Sequence, residues 1–190
     1  MKQIITYRSK VVLGLAALAL TLSFGVLFPS NVAWAAGNFH GTVNISIDTS
    51  GADICDLTAS NIDESGLGFT NVTYELSADA TLGLACRNNG GNFPSDPKKN
   101  ASGGAVSGEQ TVQVKNGRVR GASVTVDISE EVPVPLSCPG GQRAVVVCCK
   151  YSNISLADTT SEPDIVAAVS TTSASFTLQG APASVAGLCD

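Results

Sequence analysis

The chain has 190 residues, 16 acidic against 11 basic, with six cysteines and a single histidine. Three of the basic residues (Lys2, Arg8, Lys10) and none of the acids fall in the first 35, so residues 36–190 hold 11 − 3 = 8 basic against 16 acidic side chains, a net charge of −8. That balance argues against nucleic acid and anionic membrane surfaces as partners, since both need a basic footprint. The lone histidine leaves little room for Ser-His, Cys-His or His-rich metal chemistry.

Residues 1–35 have the parts of a secretory signal peptide. Lys2, Arg8 and Lys10 precede an apolar run over 11–28 whose only hydroxyls are Thr21 and Ser23, and Ala33-Trp34-Ala35 supplies a small-x-small site. Cleavage after Ala35 is expected, leaving one secreted, cell-surface or periplasmic domain over 36–190. An uncleaved anchor is the alternative, because about 18 apolar residues approach the length of a bilayer span. All six cysteines (Cys55, Cys86, Cys138, Cys148, Cys149 and Cys189) lie after the signal. An even number in an exported chain reads as a disulfide framework, with the pairing left open.

From Gly41 onward the pattern is strand-like. Val43, Ile45 and Ile47 alternate with polar residues, and a second run over 53–60 puts Cys55, Leu57 and Ala59 on one face. Asp63-Glu64-Ser65-Gly66 reads as a break. Val72, Tyr74, Leu76 and Ala78, then, past an acidic break at Asp79, Ala80, Leu82, Leu84 and Cys86, share one parity, which aims Cys86 at a core. Asn88-Asn89-Gly90-Gly91 accepts positive φ cheaply and ends that strand. Residues 93–109 carry Pro94, Pro97 and Gly103-Gly104 with almost no apolar side chain, and read as a long loop, either a flexible excursion or a binding loop.

Order resumes at Thr111. Lys115-Asn116-Gly117-Arg118 is a hairpin signal, and a parity shift across Gly121 predicts a β-bulge. Val132-Pro133-Val134-Pro135 reads as an edge or extended connector and Cys138-Pro139-Gly140-Gly141 as a turn. Residues 143–151 fit a strand buried on both sides; 165–169 and 175–178 fit two short strands. Cys148 and Cys149 are neighbours that point to opposite faces of a strand, which favours two different disulfides over a strained vicinal bridge. Eight or nine short strands, with no capped helical period, predict an all-β fold: an immunoglobulin-like antiparallel sandwich in a single domain, without the core Trp of a true immunoglobulin domain.

Gly66-Leu67-Gly68, Asn71-Val72-Thr73, Cys86-Arg87-Asn88-Asn89-Gly90-Gly91-Asn92, the Lys115-Asn116-Gly117 hairpin and Cys138-Pro139 together resemble a loose group of small exported bacterial proteins. Members of that group carry a Cys-Thr-Asn-Pro-Gly-Gly-Asn loop and have no assigned activity. The likeness covers roughly residues 50–157; Arg87 and Asn89 depart from the group's Thr and Pro, and Cys148-Cys149 lies outside its pattern. The resemblance implies a secreted β-domain and a Cys86 to Cys138 bridge, and no catalytic residue carries over.

The functional expectation is a non-enzymatic secreted structural or interaction domain. Its contacts would come from the loop after Cys86, through Arg87, Asn88, Asn92, Phe93, Lys98 and Lys99, and its partner would be an extracellular protein or polysaccharide. An inhibitor or ligand-binding module would differ only in what that loop touches. The alternative is a small exported carboxylate enzyme such as a glycosidase, with Asp63-Glu64 or Glu130-Glu131 as acid and base, although acids beside turns are far more often solvated. No catalytic residue, metal or cofactor is assigned: Asp48, Asp53 and Asp56 match no EF-hand spacing. Asn44, Asn71, Asn100 and Asn153 begin glycosylation sequons, which a bacterial-looking signal makes silent. The strand over 37–48, apolar on one face and near a free end, is a candidate edge for self-association.

Overall fold

The computed structural model describes residues 37–50 and 54–190; the signal segment and its cleavage site lie outside the described residues. Two antiparallel sheets face each other. In the first, β1 (Asn38–Phe39) and β2 (Asn44–Ile47) follow one another along one side of β3 (Leu57–Ser65), and β6 (Arg118–Val126) pairs with the other side. In the second, β5 (Lys99–Gln113), β4 (Asn71–Asn88) and β7 (Gln142–Asp158) lie in that order, and β8 (Ile165–Val166) and β9 (Ala174–Thr177) run end to end along the far side of β7. Two single-turn helices, α1 (Ile128–Glu131) and α2 (Ala183–Ala186), and a 3-10 turn over Gly187–Cys189 complete the regular structure of the described residues. The result is an all-β, two-sheet sandwich. Leu57, Ile62, Val124 and Val126 from one sheet and Tyr74, Leu76, Tyr151 and Leu156 from the other are buried in one core.

The alternating parity expected over 71–86 holds as far as Leu82, and the break expected at Asp79 does not occur; beyond Leu82, Gly83 and Ala85 are buried and Leu84 is only half-buried, while Cys86 is buried as expected. β4 continues for 18 residues because Asp79 is on the solvent face. A bulge in β7, where Asn153 takes φ 54°, absorbs the register shift, and Asn153 Nδ2 donates to Asp79 Oδ2 at 2.7 Å.

The second run is also corrected. Cys55 lies ahead of the strand with φ 81°, and β3 begins at Leu57 and continues through Asp63, Glu64 and Ser65 instead of breaking there. Asn61, at φ 57°, inserts an extra residue opposite β6 and resets the parity, so that Ile62 and Glu64 turn inward. The matching extra residue on β6 is the bulge expected at Gly121, which has φ 61° and donates its N–H to Asp63 Oδ1 at 2.9 Å. The Asn-Gly hairpin forms as expected, with Asn116 and Gly117 both at positive φ.

The largest correction concerns residues 93–109. Only 89–98 form a loop; Lys99–Gln113 pairs with β4 along its whole length. Val106 is its one fully buried apolar side chain and Val112 packs against the core, while at Gly108 bulk is excluded for a steric reason. A Cβ at Gly108 would stand 2.5 Å from the Thr125 carbonyl oxygen of β6, so the two sheets approach too closely here for a larger side chain.

Three disulfides close the fold: Cys55–Cys149, Cys86–Cys138 and Cys148–Cys189. The neighbouring cysteines do enter different bridges; of the run 143–151 expected to be buried on both sides, only Val147, Cys148 and Cys149 are buried in succession, while Arg143, Ala144 and Lys150 are exposed. Such bonds persist in oxidising compartments, which fits an exported chain. Among the described residues no helix is long and apolar enough to cross a membrane.

Replacing Cys55 and Cys149 together with alanine should lower the free energy of unfolding by about 3–5 kcal/mol, read from urea midpoints, because it opens the longest closed loop and removes a bridge inside the core. The Cys148, Cys189 double replacement should cost less and leave the β4 to β7 amides protected from exchange.

Candidate functional site

The six side chains expected to form a contact surface after Cys86 are brought together, and each is occupied within the chain. Asn88 and Asn92 close the turn on each other: the Asn88 N–H donates to the Asn92 carbonyl at 3.0 Å and the Asn92 N–H to Asn88 Oδ1 at 2.8 Å. Arg87 Nε donates to the Gly91 carbonyl, and its guanidinium stacks over Phe93 at 5.5 Å from the ring centroid. Phe93 in turn packs on a small second core of Ala85, Val147, Cys148, Val185 and Cys189. Lys98 Nζ reaches the Ser137 carbonyl at 3.3 Å and Lys99 Nζ the Ser184 carbonyl at 2.6 Å. These contacts give a braced end to the β4 to β5 connection.

A surface that sequence reasoning missed lies along β5. Among the described residues its only strand partner is β4. Near its ends the outer edge is satisfied by its own side chains, with the Ala101 N–H donating to Asn100 Oδ1 at 3.0 Å and the Thr111 carbonyl accepting from Gln110 Nε2 at 3.0 Å. Strand alternation then leaves the amides and carbonyls of 103, 105, 107 and 109 facing outward, with no backbone partner among the described residues. Beside this edge is a shallow pocket of about 390 Å³, whose lining includes Glu75, Asp79, Ala105, Ser107, Glu131 and Asn153.

The carboxylate pairs are not assembled into one cleft. Glu130 and Glu131 are exposed on α1. Asp63 and Glu64 are successive residues of β3 and point to opposite faces, and Glu64 is completely buried. Tyr74, equally buried, donates its hydroxyl to Glu64 Oε2 at 2.8 Å, while Glu64 Oε1 has no partner among the described residues. Burial pushes the Glu64 carboxyl up to about 7; the Tyr74 hydrogen bond opposes this and the nearby Asp158 adds to it. Tyr74 is pushed above the usual phenol range, chiefly by burial and then by its bond to Glu64. Asp158, on β7 and also fully buried, accepts from the Thr160 N–H at 2.8 Å and the Ser161 hydroxyl at 2.7 Å. A pocket of about 180 Å³ opens beside Glu64, lined by His40, Asp63, Arg118, Val119 and Arg120. His40, the only histidine, is hydrogen-bonded to Ser65 Oγ at its exposed rim.

No protein family, no curated protein and no solved structure matches this chain.

The Glu64 carboxyl gives the fold a pH dependence in any chain whose residue 36 is still joined to the segment before it. Its ordinary value is 4.5, so between about 4.5 and about 7 the folded chain keeps a proton that the unfolded chain has released. Stability is therefore full below this window, falls as pH rises through it, and levels off above. Urea unfolding across pH 4–8 should show a loss of at most about 3 kcal/mol, and Glu64→Gln should flatten the profile.

Proposed function

We propose that this chain is a secreted, non-enzymatic interaction domain that binds an extended polypeptide by strand addition along β5. The observation that carries the reading is the unpaired outer edge of a 15-residue strand. Long edges left open are templates for pairing, and natural sheets normally shorten, charge or cover them. The edge over 37–48 is less available: Val43 already bonds Ala168 and Ser170 through its own N–H and carbonyl, and the Ile45 N–H donates to Ser170 Oγ at 2.9 Å.

A polypeptide fits better than a polysaccharide. Sugar surfaces need an exposed aromatic platform, whereas every described aromatic ring is buried or half-buried. Glu75, Asp79 and Glu131 around the neighbouring pocket favour a basic side chain on the bound segment. A second copy of this chain, pairing β5 with β5, is the self-association form of the same reading. An immunoglobulin-like kinship belongs to the proposal too, supported by a disulfide, Cys55–Cys149, that joins the two sheets inside the core.

Screening the disulfide-bonded domain against immobilised extended peptides should yield binders rich in Lys or Arg. Ser107→Pro removes an outward amide without touching the β4 ladder; it should weaken those binders at least tenfold while the thermal midpoint moves by only a few degrees. Binders indifferent to Ser107→Pro and to Ala105→Lys would refute the β5 site.

A further inference from the structure

We propose that Glu64 is the docking site for the chain's own α-ammonium group, created when signal cleavage frees Ala36. This rests on the reading of 1–35 as a cleaved signal, and the test below separates the two.

Glu64 is a fully buried carboxyl with one oxygen satisfied and the other orphaned. The groups around it supply no buried cation. Tyr74 on β4 already donates to Oε2, and Asp158 on β7 is a second buried acid that takes its donors from Thr160 and Ser161. Asp63, next to it on β3, is acidic and bonds Gly121. His40, Arg118 and Arg120 are exposed at the rim of the adjoining pocket, and none of them bonds Glu64. What is missing at Oε1 is a compact cation with hydrogen-bond donors.

The chain brings one within reach. β1 pairs Phe39 with Glu64 and Asn38 with Ser65, which carries the backbone back over the Glu64 side chain at Gly37. A Cβ at Gly37 would fall 2.0 Å from Glu64 Oε1 and 2.9 Å from Leu67 Cδ2, so the backbone of Gly37 lies directly against the orphaned oxygen. Cleavage after Ala35 would put the new amino terminus on the very next residue, and one residue spans only about 3.5 Å. Before cleavage that nitrogen is an amide. Afterwards it is an ammonium, with a positive charge and three donors, which suits a buried carboxylate that has an unmet acceptor. Processing would thus turn an uncompensated acid into an ion pair, making the processed fold the more stable one at neutral pH.

The test compares disulfide-bonded chains of defined start: one beginning at Ala36 with a free amine, one N-acetylated at Ala36, and one with a single residue added ahead of Ala36. At pH 7.5 the free-amine chain should melt at least about 5 °C above the other two. Between pH 5 and 7 its stability should hold or rise with pH, where the blocked chains decline. Glu64→Gln should bring the free and acetylated chains to a common midpoint. Equal midpoints and parallel pH profiles for the free and acetylated chains carrying Glu64 would overturn the docking site. Mass spectrometry of the exported protein should find Ala36 first; a different first residue would overturn the processing step, whatever the defined chains show.

Discussion

The ladder between β4 and β7 is the constraint on which the remainder depends. These are the two longest strands, and every disulfide has one end on them: Cys86 on β4, Cys148 and Cys149 on β7. Cys149 reaches across the core to Cys55 and so fixes the opposing sheet, Cys86 holds the connector at Cys138, and Cys148 holds the tail at Cys189. The core explains why covalent help is needed. Several of its inward positions are alanine (Ala59, Ala78, Ala80), and each buries far less apolar area than a leucine would. Cross-links that constrain the unfolded chain supply part of what the small side chains do not.

The two open sides of the sandwich are treated differently. On one side, β2 is tied through Val43 to the chain between β8 and β9, so backbone groups that would have faced solvent bond each other. On the other, β5 and β6 approach closely through Gly108, and β5 is left with only one ladder. A strand of Ser, Gly, Ala and Thr can remain there because it has little apolar surface to aggregate through, while its backbone stays able to pair. Specificity would then come from the acidic groups beside it, since main-chain bonding alone does not discriminate among partners.

Strand identity was legible wherever one face of a strand was apolar: the parity as far as Leu82, the Asn-Gly hairpin and the Gly121 bulge all carry a local physical signature, and the run expected to be doubly buried over 143–151 is so at Val147 to Cys149. The opposite-face placement of Cys148 and Cys149 followed from strand geometry alone. β5 was illegible because it carries few apolar side chains and because Gly108 stands against the backbone of β6, a tertiary fact that leaves no mark in periodicity. Glu64 was illegible for a related reason. A run of Asp, Glu, Ser and Gly reads as a turn, and only the extra residue at Asn61, which restores Ile62 and Glu64 to the inward face, reveals a strand. The signal that could have found it is the spacing of Leu57, Ala59, Ile62 and Glu64, alternation with one skipped step.

A carboxyl buried this completely needs a reason, because a glutamine or methionine would fill the same volume without the desolvation penalty of a charge. Half of the reason is Tyr74: a fully buried phenol must donate somewhere, and Glu64 Oε2 accepts. That accounts for an acceptor and not for an acid, since an amide oxygen would serve equally well. Asp158 sharpens the difficulty by placing a second buried acid near enough to raise the first. Two acids in one apolar region, with one oxygen unused and a glycine backbone pressed against it, form a local conflict of a kind that folded chains keep when another part of the molecule resolves it. The proposed ammonium of Ala36 would be that part, for the expected scissile bond falls one residue ahead of that glycine.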